Sequence, residues 1–307
     1  MSAHDVVFGV DVGGTVIKSA TVDSEYSVLD RERRPTGAGL GTDVVFTNIM
    51  ESIHALQSRL LGDCRLVGVG VAVTGIVDDV NGIAIHSENV GWQNMPLRSM
   101  IAQEIGLPVG LGHDVRAGTL AESRMGAGRG FSNMMFIAIG TGVSAGILVD
   151  GHLAYGDGYA GEVGHVNAGL DESCGCGGSG CVEAIASASA VARRYSRLTG
   201  IDVEGAKEVA DRVVAGDPSA IRVWDEAIGA LATAMAWTGG VVGCEAIVVG
   251  GGMAAAGELL LAPLREQTRR NLNILRCPEI IPAQLGDESG CLGAAMIGWD
   301  RHRSEAA

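Results

Sequence analysis

Proline and aromatic residues are scarce in this sequence, with 7 prolines in 307 residues and aromatics at 4%. So little proline, with no triplet period, excludes a collagen-like chain, and no low-complexity tract divides it. A basic surplus is also missing. Acidic side chains outnumber basic ones 36 to 22, giving a net charge of −14, a field that repels nucleic-acid phosphates unless a local basic patch reverses it. None is visible: Arg193-Arg194 and Arg269-Arg270 read as solvated helix faces. The opening residues MSAHDVV show no basic region followed by an apolar core, so no secretion signal is read and a cytoplasmic protein is expected. Unbroken hydrophobic runs are absent as well. Segments 130–149 and 227–244 carry no Asp, Glu, Lys or Arg and approach the ~18–20 residues of a membrane span. Ser132, Asn133 and Gly140-Thr141-Gly142 interrupt the first, and Gly239-Gly240 the second, so both read as buried elements and no membrane contact is expected.

Glycine is what abounds: 47 residues, about twice the usual ~7%, which points to many tight turns. With hydrophobic residues at 47% and charged residues at 19%, the chain is an ordinary globular one, long enough for about two domains at ~150 residues each. An apolar strand, a Gly/Thr turn and a second apolar strand occur twice. Phe8 to Ala20 surrounds Gly13-Gly14-Thr15, Met134 to Val149 surrounds Gly140-Thr141-Gly142, and Asp23 and Asp150 follow the two copies. A duplicated α/β domain produces this echo. Periodicity predicts a helix over 44–61, a strand over 66–73, helices near 182–198, 203–215 and 218–238, and a strand over 245–249. Asp217 and Pro218 suit the N-cap and first position of the 218–238 helix. A last helix, about 289–302, is expected to return to the first domain.

Strands that end in Gly-Thr turns expose consecutive N–H groups and let backbone approach a phosphate without a Cβ in the way. Either turn alone is compatible with a plain hairpin, whereas two in matching places suit a clamp on a polyphosphate. Asp11, just before the first turn, is placed to hold phosphate-bound Mg²⁺ through water. Gly250-Gly251-Gly252 offers a flat surface for adenine or ribose. Cys174, Cys176 and Cys181, with His165 nine residues before Cys174, make a closed structural zinc set; disulfides, the alternative, are disfavoured in a cytosolic chain. Cys64, Cys244, Cys277 and Cys291 read as small core residues. The second ring nitrogen of a zinc-bound His165 can face a substrate hydroxyl. Asp114, between a strand-like 109–113 and a helix over 115–126, is either an N-cap or the carboxylate that orients an attacking hydroxyl and accepts its proton.

The motifs DVGGTVIK, NVGW, GHD, EVGH, CGCGGSGCVEA and VVGGGM occur in this order. Over about residues 6–298 the chain therefore resembles the ROK (repressor, open reading frame, kinase) sugar kinases of the actin-like ATPase superfamily. The resemblance implies an α/β, duplicated actin-like (ribonuclease H-like) fold with two domains flanking a cleft: 1–114 completed by a helix over about 289–307, and 115–288 carrying the zinc loop. It implies ATP-dependent phosphorylation of the 6-hydroxyl of a glucose-like hexose, with Mg²⁺ accompanying ATP, structural Zn²⁺ on His165, Cys174, Cys176 and Cys181, and Asp114 as general base. Gly75, Asn89, His113, Asp114, Glu162, His165 and Glu183 would line the sugar site. Asp11, Gly13, Gly14, Thr15, Lys18, Gly140, Thr141, Gly142, Gly250, Gly251 and Gly252 would line the nucleotide site, and a homodimer or higher homo-oligomer is expected. Taken alone, Asn89 also suits a turn and Glu183 the first turn of a helix.

One departure matters: the family's asparagine before the catalytic aspartate is His113 here, and an imidazole offers a donor and an acceptor in a bulkier geometry. It points to an altered hexose such as kanosamine, glucosamine, N-acetylglucosamine or N-acetylmannosamine, or to a cyclitol. Arg116 reads as a helix-surface charge and Trp92 as a packing residue. A sugar-responsive regulator would carry a DNA-reading module ahead of Val6, where five residues stand. An actin- or chaperone-type ATPase has no use for a hydroxyl-reading wall, and polyphosphate as donor would need a basic groove.

Overall fold

The computed structural model describes residues 4–306; residues 1–3 and 307, which the expected domains include, lie outside the described residues. The chain divides into two compact units, one formed by residues through Ala121, Tyr155–Ala160 and the chain from Asp287, the other by Glu122–Ala154 and Gly161–Gly286.

The first unit contains β1 (His4–Val12), β2 (Val16–Asp23), β3 (Val28–Pro35), α1 (Thr42–Ser58), β4 (Cys64–Val73), β5 (Ile76–Asp78), β6 (Ile83–His86), β7 (Gln93–Met95), α2 (Leu97–Ile105), β8 (Val109–His113) and the start of α3 (Asp114–Met125). Its main sheet has the order β3-β2-β1-β4-β8, with β1 antiparallel to β2 and parallel to β4, which is parallel to β8. The second unit has β9 (Met134–Ile139), β10 (Val143–Val149), β11 (His152–Leu153), α4 (Val182–Ala186), α5 (Ala188–Thr199), α6 (Ala206–Val214), α7 (Pro218–Val242), β12 (Ala246–Gly250), α8 (Glu258–Asn271) and β13 (Glu279–Pro282). Its sheet order is β11-β10-β9-β12-β13. Each sheet is an antiparallel run on one side of its first strand and two parallel strands on the other, so the echo in sequence is a duplicated topology.

The packing follows from the side chains. Along α1, Val45, Ile49, Ile53 and Leu56 recur at helical spacing and are buried, the helix packing on β1 and β2. Trp92 is fully buried in this core, as expected of a packing residue. The last helix, α9 (Ser289–Ala306), covers the first sheet, packing on β1, β4 and β8. A Cβ on Gly70 would lie 1.7 Å from the Ala294 carbonyl oxygen, so only glycine admits α9 this close. Glycine abundance was read as turns, and part of it instead serves this sheet–helix contact. In the second unit Met135, Ile137 and Ile139 of β9 pack with Ile228, Leu231 and Met235 of α7. Asp217 caps α7 by accepting the Ser219 and Ala220 N–H groups.

Several expectations need correction. The 182–198 helix is two helices, because Ser187 is extended (φ −64°, ψ 157°) and its hydroxyl caps α5 through the Ala190 N–H. Arg194 is buried, paired with Glu172 and Glu226, so only its neighbour suits a solvated face. Cys277 is exposed and Cys64 half-buried, unlike the buried Cys244 and Cys291. The boundary near 114 moves because α3 stays with the first unit through Ala121, and Tyr155–Ala160 joins it. Arg116 accounts for both shifts. Its guanidinium, 1% exposed, donates to Val77 O (3.0 Å), Gly158 O (3.2 Å) and Asp79 Oδ2 (2.7 Å). Among the described residues no helix is long and apolar enough to cross a membrane.

Candidate functional site

In the first unit the site grows from the carboxyl ends of three parallel strands. Register pairs Val12 with Val73 and Val73 with His113, so Asp11, the Thr74-Gly75 turn and Asp114 emerge along one sheet edge, the usual place for ligands in α/β sheets. Asp114 is both the first residue of α3 and a partly exposed carboxylate, its side chain 27% accessible. Its Oδ1 accepts the Val115 N–H at 2.7 Å. Burial pushes its carboxyl up to about 6, against the Val115 hydrogen bond and the Arg116 charge. Burial, followed by the charge of Asp114, likewise raises Asp11 to about 7. Two carboxylates raised by burial, one of them also by its neighbour's charge, fit a place where a cation is to arrive. Lys18 stands directly across the hairpin from Asp11, and its Nζ lies 3.4 Å from Asp287 Oδ2.

Gly13, Gly14 and Thr15 form the β1–β2 turn, closed by a Gly13 N–H donated to Val16 O. Asn89 lies against this turn: a Cβ on Gly14 would be 3.4 Å from that of Asn89. The alternative of a plain hairpin is geometrically true of the turn and does not compete with phosphate binding. Gly75 has a positive φ of 105° and lies under the His86 carbonyl, a structural need that accounts for the residue type by itself.

In the second unit Gly140, Thr141 and Gly142 form the equivalent β9–β10 turn, with the Gly140 N–H donated to Gly142 O and Gly140 O accepting the Ala188 N–H. Glu183, in the first turn of α4, accepts the Val143 N–H on Oε2 at 2.9 Å, so it braces this turn as well as standing beside it. Gly250 pairs with Ala138 of β9, which sets Gly250, Gly251 and Gly252 next to the same turn.

Glu162 and His165 flank a 3-10 turn, Val163–His165, packed on β10. A Cβ on Gly164 would be 1.9 Å from Val143 O, which explains the glycine of EVGH. His165 Nδ1 lies 3.8 Å from Cys174 Sγ, and its Nε2 lies 4.0 Å from Glu162 Oε2. The ring therefore turns one nitrogen to the thiols and the other to the acid. Cys176 Sγ and Cys181 Sγ are 3.7 Å apart, and one donor atom from each of His165, Cys174, Cys176 and Cys181 lies within 4.8 Å of the rest. A tetrahedron with Zn–S bonds of ~2.3 Å has edges of about 3.8 Å, so the four donors fit zinc. The Gly178 N–H lowers the Cys176 thiol to about 7, whereas burial and the neighbouring thiols raise Cys181 to about 12.

Sequence reasoning misplaced Arg116 and missed Asp79. Asp79 Oδ1 accepts the His113 N–H at 3.2 Å and Asp79 Oδ2 pairs with Arg116, so this acid holds the strand end that presents Asp114. Nothing local marks it, since it follows Asp78 at the end of a three-residue strand. Arg116→Leu strands Asp79 without its partner and is expected to cost ~3–5 kcal/mol of stability. Denaturant unfolding checks this, and a loss below ~1 kcal/mol would return Arg116 to a surface role.

A model of the ROK family matches residues 7–300. The chain is 34% identical over 312 residues to a glucokinase of Halalkalibacterium halodurans, covering 94% of this chain and 93% of that one. It is 33% identical over 293 residues to an N-acetylmannosamine kinase of Haemophilus influenzae, covering 93% of each. It resembles the crystal structure of a ROK glucokinase from Streptomyces griseus in complex with glucose and AMPPNP, with a TM-score of 0.81, 30% identity and coverage of 96% and 99%.

Proposed function

The chain belongs to the ROK family, and on that premise we propose that it transfers the terminal phosphoryl group of ATP to the 6-hydroxyl of a glucose-type hexose, with Asp114 as the general base. Its activity is that of an ATP-dependent sugar kinase, as its full-length glucokinase relatives and the nucleotide- and glucose-bound neighbour support. The observation that carries the proposal is Asp114 itself. It is a strand-end carboxylate raised to about 6 by burial, ionised at neutral pH yet basic enough to accept a proton as the hydroxyl attacks.

In this mechanism the turns at 13–15 and 140–142 bind the phosphates through backbone N–H groups, Lys18 adds positive charge, and Gly250–Gly252 receives the nucleoside. Mg²⁺, when bound, neutralises phosphate charge, and Asp11 would hold it through water. Zn²⁺ would be held by His165, Cys174, Cys176 and Cys181 and would keep the His165 ring fixed. In the second unit Glu162, His165 and Glu183 are the groups suited to ring hydroxyls, and in the first unit Asn89 is; Asp114 Oδ2 takes the proton of the 6-hydroxyl as its oxygen bonds to the terminal phosphorus and the bond to ADP breaks.

An amino-sugar acceptor is the second reading, favoured by His113 and supported by the N-acetylmannosamine kinase relative. ADP release over glucose, mannose, glucosamine, kanosamine and N-acetylhexosamines separates the two. Glucose with the highest kcat/KM is the expected result; an amino sugar ahead by tenfold or more would install the second reading, and sugar-independent hydrolysis alone would refute both.

A further inference from the structure

In the second unit the chain around the thiols lies mostly in the open, with Asp171, Ser173, Gly175 and residues 176–179 exposed. Glu172 is the exception, its side chain 12% accessible. Its carbonyl oxygen accepts the Gly180 N–H at 2.8 Å, Gly180 O accepts the Ala168 N–H at 2.7 Å, and Asn167 bridges Cys181. Glu172 is thereby hydrogen-bonded to the residue before Cys181, and through it to the segment that follows His165.

The carboxylate of Glu172 reaches α5, where Oε1 accepts the Arg194 Nε–H at 3.2 Å and a second hydrogen bond from Arg197. Arg194 is 5% exposed, and its other two nitrogens are also engaged. Nη1 donates to Ile185 O at 3.0 Å, and Nη2 donates to Glu226 of α7. Ile185 belongs to α4, the short helix that starts directly after Cys181. One guanidinium therefore holds the chain just before the first thiol and just after the last. Its donors point in fixed directions, so it cannot shift toward one flank without breaking its bond to the other.

We propose that Arg194 is a positioning residue for the zinc site: it fastens both flanks of the segment from Cys174 to Cys181 to α5 and α7, and so keeps the three thiols and His165 within reach of one ion. This rests on the reading of those four residues as zinc ligands. Apolar side chains of similar size often stabilise a fold as well as a buried ion network does. Fixed direction is what the network adds, and the exposed loop has few other contacts to supply it.

Zinc release from the loaded chain to an excess of a colour-forming chelator reads this tie. Glu172→Ala cuts it on the loop side while Arg194 keeps Glu226 and Ile185 O, and release is expected to be ~10-fold faster or more, the usual effect of losing an outer partner of a metal site. Glu172→Gln retains an oxygen for the Arg194 Nε–H and is expected to stay within ~3-fold of wild type. Arg194→Lys keeps the charge but cannot span both flanks, and release is expected to be ~5-fold faster or more. As a control, Arg265→Ala removes the bond from Arg265 Nε to Ile280 O, which ties α8 to β13, and release should stay within about twofold of wild type. Wild-type release from Glu172→Ala or from Arg194→Lys overturns the proposal. Equal acceleration in Glu172→Ala and Arg265→Ala overturns it too, because the loop then reports a general loosening of the unit. Glu172→Gln as fast as Glu172→Ala has the same consequence, since the acceptor then contributes nothing. The two failures stay distinct: a wild-type chain that binds no zinc removes the zinc reading and this proposal with it, whereas a zinc-loaded wild type with any adverse variant removes only the positioning role.

Discussion

Asp114→Asn lowers kcat for hexose phosphorylation by at least ~10²-fold while leaving the KM for sugar within about twofold. The substitution keeps shape and an oxygen able to accept the Val115 N–H, so orientation survives and the proton acceptor does not. Stability should move the other way. A carboxyl whose folded-state value is raised to about 6 favours the fold while protonated, below its ordinary 3.8, and loses that contribution as pH rises through 6. At pH 7 the wild type therefore bears the cost of a partly desolvated charge that the asparagine lacks. The variant should melt higher than wild type at pH 7, and the difference should shrink toward pH 4. A dead and more stable protein is the mark of a group kept for chemistry; a variant with wild-type turnover would remove Asp114 as the base.

Removing zinc is the second large effect. The loop 174–181 is held by short backbone contacts, Cys174 N–H to Gly178 O and Gly177 N–H to Cys174 O, with little apolar burial of its own. His165 Nδ1 lies 3.8 Å from Cys174 Sγ, and a zinc ion held by the four donors would tie the ring to the other two thiols as well. Metal analysis should find one zinc per chain. Chelation, or Cys181→Ser at the buried ligand, should raise the sugar KM by ~10–100-fold, the usual cost of freeing a ligand's orientation. Nucleotide affinity should change far less, because the Gly140–Gly142 turn is braced by Glu183 and Ala188 instead. Metal-free protein with an unchanged sugar KM would separate this loop from the sugar wall.

Much of this was legible because the chemistry sits in local patterns. Each Gly/Thr turn lies between two apolar strands, so pattern alone located both hairpins, and the duplication followed. The zinc set needs three thiols on one short loop and a histidine nine residues before them, a spacing the eye can find. Asp114 was visible as a strand-to-helix junction. What stayed hidden depends on burial and long-range register. Arg116 looks like any helix arginine until the chain brings Val77, Asp79 and Gly158 around it, and no periodicity reports that. Asp79 is invisible for the same reason. His113 was recognised as a departure, but only the pairing of β8 with β4 and the packing around it show its ring to be buried. The glycines were counted as turns because sequence cannot distinguish a turn from a strand position such as Gly70, where a helix backbone lies too close for any side chain.

The most direct test of Asp114 as the base is the pH dependence of kcat/KM for the sugar at saturating MgATP, where Mg²⁺ held by Asp11 would keep that second carboxylate ionised. The account predicts a single-proton acidic limb centred near pH 6, following the raised Asp114 carboxyl. A profile flat down to pH 4.5 would contradict it.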